Sequence, residues 1–313
     1  MVMTFLKHYE EPDVAAPVFL FAFAGWSDAA ESATHALRYL VKRLDAVKFA
    51  EVDPEEFYDF TQVRPHTGFD ADGVRQITWP ANEFFYAKRR PDEDDLVIFV
   101  GVEPSLKWRT FSEGLVEVIH RVETSRVMHL GALLDAVPHT RDTRITGTAT
   151  SPELQELLRG VEVRRSRYTG PTGITGVLMD ALRREKAPSV SIWGHAPHYL
   201  QVSPNPKVSL RLLEVVEQLL HVRIDVDSLN SQGANFERRV RQALSNEPGV
   251  IDYIHRLESQ WDSRTGGSSA QKPAVGEPGE GASLEGEMPQ PDEAVRAFEE
   301  FLRQSSRRPD SES

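Results

Sequence analysis

The sequence predicts an α/β fold built on a mainly parallel sheet with helices on both faces. Three observations carry that expectation. Short, wholly apolar runs recur along the chain, as in strands buried on both faces. Stretches with apolar residues at spacings of three and four separate them. Each apolar run is followed at once by a polar or glycine-bearing loop, the alternation of a parallel sheet with crossover helices.

The first apolar run covers residues 17–24. A helix is expected over 28–43, with Ala33, Leu37, Leu40, Val41 and Leu44 inward and Asp28 with Glu31 as a capping box. Residues 47–89 hold strand-like pieces at 57–60, 74–79 and 83–87, separated by Pro54, Pro65, Gly73 and Pro80. Residues 96–100 form the next apolar strand. The helix after it carries Trp108, Phe111, Leu115, Val118, Ile119 and Val122 on one face. Residues 127–133 make a third apolar strand, 152–158 a short helix and 161–167 an edge strand. Residues 173–184 read as a helix, 189–194 as a strand and 206–220 as a helix. Two further helices follow without a strand between them, one carrying Phe236, Val240 and Leu244, the other Val250, Ile254, Leu257 and Trp261. They are expected to form a hairpin over 223–262, packed on an α/β core over 1–222.

From residue 263 glycine, serine, proline and glutamate dominate. Such a composition buries too little apolar surface to offset its ordering entropy, so 263–313 is expected to be a disordered acidic tail. Within it, 292–303 carries Val295, Phe298 and Leu302 on one side, the pattern of a short amphipathic, partner-docking helix.

Composition narrows the function. The chain has 313 residues, 40% of them hydrophobic, and no cysteine. Disulfides and thiolate metal sites are excluded, and a reducing, cytoplasmic location is expected. The longest apolar run, 14–25, is too short to span a bilayer, and Glu10, Glu11 and Asp13 interrupt any signal-like pattern. A net charge of −12 argues against nucleic acid as a partner.

The polar loops should meet at one rim, because parallel strands end on the same side of a sheet. Trp26, Asp28, Glu103, Arg109, Asp135, His139, Arg141, Thr172, Gly173, His195 and His198 are the candidate rim residues. Asp28 reads as a helix cap or as a group facing a ligand. Glu103 and Arg109 read as a structural salt bridge or a functional pair. Asp135 lies four residues before His139 and is in place to orient it as a general base; the alternative is a hydrogen-bonded loop. His195 and His198 have the spacing of a metal pair, but Pro197 and the absence of further ligands favour packing, and no metal is expected. The turn 170–174 offers free backbone amides for an anion, or is a tight turn capped by Thr172. It lacks the lysine of a phosphate loop and the glycine spacing of a dinucleotide site, so no cofactor is expected. No Gly-x-Ser-x-Gly elbow is present.

The same loops carry a family resemblance. Phe23-Ala24-Gly25-Trp26-Ser27-Asp28-Ala29-Ala30, Glu56-Phe57-Tyr58-Asp59-Phe60 with Arg64-Pro65, and Asn82-Glu83-Phe84-Phe85 are similar to signatures of the proteasome assembly chaperone 2 family. So are Gly101-Val102-Glu103-Pro104-Ser105-Leu106-Lys107-Trp108-Arg109, Leu130-Gly131-Ala132-Leu133, Val137-Pro138-His139-Thr140-Arg141, Gly170-Pro171-Thr172-Gly173-Ile174 and Pro197-His198-Tyr199. The resemblance is to the actinobacterial branch, and the preference for arginine over lysine agrees with GC-rich coding. It implies a three-layer α/β/α fold similar to purine nucleoside phosphorylases and self-association, with a trimer as the form expected. It also implies a non-enzymatic assembly chaperone or scaffold whose partners are proteasome subunits or another protein complex. Relatives often dock through a terminal hydrophobic-Tyr-any tripeptide; Ser311-Glu312-Ser313 does not match it, so that mode is not expected here. The alternative is an enzyme or small-molecule sensor holding a nucleoside-like or amino-acid-like ligand at the rim. A deep rim pocket would favour that alternative, and a filled rim the chaperone.

Overall fold

The computed structural model describes residues 3–200, 202–220, 222–245 and 247–265. The tail helix expected at 292–303 lies outside the described residues.

A nine-stranded sheet runs in the order β1 (Leu6–His8), β3 (Val47–Val52), β6 (Glu83–Ala87), β7 (Leu96–Val102), β2 (Val18–Ala24), β8 (Arg126–Asp135), β11 (Ser189–Pro197), β9 (Ile145–Ala149) and β10 (Arg164–Arg165). Its middle, β7-β2-β8-β11, is parallel. These are the strands whose sequences are continuously apolar, as burial on both faces requires. Antiparallel pairings extend the sheet through β6, β3 and β1 on one side and through β9 on the other.

In β2, Val18, Leu20 and Ala22 point to one face, while Phe19, Phe21 and Phe23 point to the other. Helices α1 (Ser32–Arg43) and α5 (Pro206–Leu219) cover the first face, with Leu37, Leu40, Leu212 and Val216 against the strands. Helices α2 (Trp108–Arg121) and α4 (Ile174–Arg184) cover the second through Phe111, Leu115 and Leu178. The short helix α3 (Pro152–Gly160) adds Leu158 to the first face.

The last two helices, α6 (Asp227–Leu244) and α7 (Pro248–Thr265), build a separate cluster. Phe236, Val240, Val250, Tyr253, Ile254 and Leu257 enclose Tyr199 and Leu200, the residues just beyond β11. The hairpin thereby sits over the carboxyl end of β11. Among the described residues no helix is long and apolar enough to cross a membrane.

One sequence expectation changes. Residues 57–60 are not a strand: they follow a 3-10 turn (Pro54–Glu56), and Phe57 packs edge-on to Phe111 at 5.1 Å. The rings at 57–60 and 84–86 are largely core, with Phe57 and Phe84 wholly buried and Tyr58 nearly so. Two exposed rings, Phe69 and Trp79, lie between these segments. There the chain runs out as a separate two-stranded hairpin, β4 (His66–Phe69) and β5 (Arg75–Thr78), with every strand residue exposed.

Candidate functional site

The loops after β2, β7, β8 and β11 do meet at one rim. Its first half is organised by Gly101. A β-carbon there would fall 2.5 Å from Asn82 Oδ1 and 2.6 Å from the Phe99 ring. Glycine lets Asn82 close in, and its Oδ1 accepts from the Val102 amide at 3.0 Å. Asn82 Nδ2 donates to the Tyr58 hydroxyl at 2.7 Å, and that hydroxyl donates to the Val102 carbonyl. Residues 58 and 82, the two roots of the hairpin, are thus tied together at the end of β7.

Glu103 comes next. Its Oε1 accepts from the Ile174 amide at 2.9 Å, and its Oε2 from the Trp26 amide at 3.4 Å. The carboxylate occupies the positive end of α4, where an anion is favoured by the helix dipole and unpaired amides. The anion expected at the 170–174 turn is therefore the protein's own. Gly173 makes the approach possible, since a β-carbon there would lie 2.4 Å from Glu103 Oε1. This corrects two expectations. Glu103 does not pair with Arg109, which is exposed, and Thr172 does not cap α4 through its side chain. Replacing Glu103 with alanine leaves these amides without an acceptor, and a loss of about 1–2 kcal/mol is expected in urea unfolding. Glu103→Gln, which keeps an acceptor, should lose less.

Asp28 is a cap, but not by the box expected. Its carboxylate accepts from the Ala33 amide at 2.6 Å and the Thr34 amide at 3.2 Å, and from the Thr34 hydroxyl. It reaches over an intervening 3-10 turn (Ala29–Glu31), and Glu31 itself is exposed with a left-handed φ of 49°. Burial pushes the Asp28 carboxyl above its usual range, against the opposing hydrogen bonds from Thr34 and Ala33.

The second half of the rim joins β8, β11 and β9. Parallel register sets Leu133 beside His195 and Asp135 beside Pro197. Asp135 Oδ2 lies 2.7 Å from His195 Nδ1 and 3.4 Å from Arg144 Nη1, and His195 Nε2 lies 3.0 Å from Thr146 Oγ1. The sequence spacing had paired Asp135 with His139; its partner is His195, 60 positions on. Burial raises the Asp135 carboxyl, but the His195 hydrogen bond and charge, with Arg144, hold it below its usual range.

His139 instead meets the Tyr199 hydroxyl with both its backbone amide and Nδ1, each at 2.8 Å. Burial first, then the Lys207 cation, lowers its pKa to about 4, so the ring is neutral at pH 7. His198 is held by the Asp135 carbonyl at Nδ1 and the Tyr253 hydroxyl at Nε2, 3.1 and 3.3 Å away. Both nitrogens of His195 and of His198 thus have protein partners, which is the packing role rather than a metal pair. Arg141 grips Asp262 through two bonds of 2.9 and 2.8 Å and Glu258 at 3.1 Å. Arg144 lies 4.7 Å over the Trp261 ring. Helix α7 is latched across this half of the rim by these contacts.

Arg144, Thr146, Tyr58, Asn82 and Tyr253 are part of the rim and were not among the sequence candidates. Thr146 lies in β9 and Arg144 just before it, and the glycine-threonine sequence there gives little strand signal.

The order carboxylate, imidazole, hydroxyl in Asp135, His195 and Thr146 is that of a proton relay. Its surroundings do not suit substrate. His195 is 8% exposed. The cavity bordered by Pro138, His139, His195, Lys207 and Phe236 has a volume of about 10 Å³. That is room for about one water molecule. This half of the rim is filled by its own side chains.

The family model for the PAC2 family matches residues 22–244. A PAC2 family protein from Streptomyces avermitilis is 37% identical, with 76% of this chain and 99% of that chain covered and a TM-score of 0.69. A proteasome-assembly chaperone homologue from Mycobacterium tuberculosis is 34% identical over 76% of this chain and 99% of that one, with a TM-score of 0.68. An archaeal proteasome activator from Pyrococcus furiosus, 19% identical over 76% and 97%, shares the fold with a TM-score of 0.61. A comparison with curated proteins found no match. The chain belongs to the PAC2 family.

Proposed function

We propose that this PAC2 family chain is a non-enzymatic assembly chaperone that works by protein contact. Its partners are copies of itself and proteasome-related subunits, met in the cytoplasm. The observation that carries the reading is the filled half of the rim around His195. Asp28, Glu103, Asp135, His139, Arg141, His195 and His198 each hold one strand end or helix to another, and the adjoining cavity admits about one water. The Mycobacterium tuberculosis relative, named a proteasome-assembly chaperone homologue, supports the class of partner.

The Asp135, His195 and Thr146 chain keeps a second reading in view, an enzyme or sensor whose ligand enters when α7 lifts. A small-molecule site normally encloses several hundred Å³, far more than the cavity beside His195 offers. Affinity purification from the native host tests the choice. Proteasome subunits enriched over a tag-only control are the expected result. Recovery of no such subunits, at bait levels that recover the protein itself, would contradict it. A parallel purification lacking residues 263–313 reports whether the expected tail helix contributes.

A further inference from the structure

The β4–β5 hairpin is an arm whose strand residues are all exposed. The register places Thr67 opposite Ile77 and Phe69 opposite Arg75, so Phe69 and Ile77 share one face, and Trp79 follows in the same alternation. Phe69 is 69% exposed, Ile77 and Val74 are more than half exposed, and Trp79 nearly half. A two-stranded hairpin alone is marginal in water and needs a third strand or another packing surface. This arm nevertheless has an ordered root, with Trp79 edge-on to Phe60 at 4.9 Å and the Tyr58–Asn82 tie beneath.

A second apolar surface lies on the same end of the molecule. Trp26 lies in the loop after β2, Leu106 in the loop after β7, and Leu134 is the last residue but one of β8, three neighbouring strands of the sheet. Trp26 is 61% exposed, and the two leucines about half. Aromatic side chains carry about 150–250 Å² each. In one contact the exposed apolar parts of an arm and a strip together amount to roughly 800 Å², about half the total of a standard-size interface, and a closed ring repeats that contact at every copy. Each surface, at roughly 400 Å², matches the largest apolar patch of an ordinary monomer, which is often functional.

We infer that the arm of one copy lies across the Trp26, Leu106 and Leu134 strip of the next copy. The inference rests on the self-association proposed above and supplies its surface. Two features choose a second copy as the occupant. One contact covers both unpartnered surfaces, since each copy gives one arm and receives another. The charge also permits it: a net −12 chain repels its like, but Arg64 and Arg75 balance Asp70 and Asp72 around the arm, and the strip side chains are uncharged. Because arm and strip differ, the contact is head-to-tail, which closes into a ring rather than a twofold dimer when the rotation allows.

The absence of cysteine makes the contact directly testable. Ile77→Cys and Leu134→Cys chains are prepared separately, mixed, and treated with a short bismaleimide. A covalent dimer, twice the 35.2 kDa chain, is expected in the mixture and not with either variant alone. Phe69→Asp should reduce the mass in light scattering to one chain, with an unchanged far-ultraviolet circular dichroism spectrum. A dimer formed equally by Ile77→Cys alone would mean arm on arm and overturn the contact. An assembled wild type with no mixed cross-link, or an assembled Phe69→Asp protein, would overturn it while leaving self-association standing. A monomeric wild type at micromolar concentration would remove both.

Discussion

Lowering the pH from 7 to 4 should cost the fold about 6 kcal/mol, with two buried histidines as the source. His129 lies wholly buried at the middle of β8, 4.9 Å from the Phe21 ring and 5.1 Å from that of Trp193. Its nitrogens reach only hydroxyls, Ser191 Oγ at 3.0 Å and Thr175 Oγ1 at 3.3 Å. Burial lowers its pKa to about 3, and burial with Lys207 lowers that of His139 to about 4. In the unfolded chain both take a proton near pH 6.5; in the fold neither does. Their contribution is thus complete above pH 6.5 and is lost as pH falls, ceasing to change near 4 for His139 and near 3 for His129. At about 1.4 kcal/mol per unit, each loses about 3 kcal/mol by pH 4. Total domain stabilities are about 5–15 kcal/mol, so the loss approaches unfolding. Urea midpoints measured from pH 7 to 4 should fall steeply, and His129→Gln, which cannot charge, should flatten roughly half of the fall. An unchanged slope in that variant would mean that His129 is not a source.

Asp28→Ala is expected to cost about 3 kcal/mol. The change removes the cap of α1, about 1 kcal/mol, and leaves buried donors on Ala33 and Thr34 without acceptors, each costing about 1–3 kcal/mol. Asp28→Asn keeps an acceptor and should cost less. The sign separates two roles for this carboxylate. A group kept buried for a ligand tends to be a burden on the free protein, and its removal is neutral or stabilising. A structural cap behaves in the opposite way. Urea unfolding of the two variants at pH 7 reads the difference. An alanine variant as stable as the wild type would return Asp28 to the list of ligand-facing groups.

The parts of the fold legible in the sequence are those where one short segment meets a uniform environment. The runs that became β2, β7, β8 and β11 are apolar because both faces of the sheet are covered, and no knowledge of their neighbours is needed to see it. The spacing of Leu37, Leu40, Phe111 and Leu115 is likewise local. What stayed hidden depends on contacts between distant segments. Glu103 was legible as a rim residue, but its place at the start of α4 follows from helix packing 71 positions away. Asp135 and His139 are near in sequence and Asp135 and His195 are near in space, because parallel pairing sets β8 against β11. The rings at 57–60 and the hairpin at 66–78 show the same limit from the other side. Both are aromatic and strand-like, and only the tertiary structure buries one and exposes the other. The strands β1, β3, β4 and β9 went unread because each is short and mixed in polarity.

The most direct test of the assembly role is reconstitution. Purified, unassembled proteasome core subunits from the same organism would be mixed with and without this chain, and core-particle formation followed on native gels. Faster formation of core particles, with the chain seen on an intermediate, is expected. An assembly rate unchanged at saturating chain, with the chain bound to no subunit or intermediate, would contradict the chaperone reading.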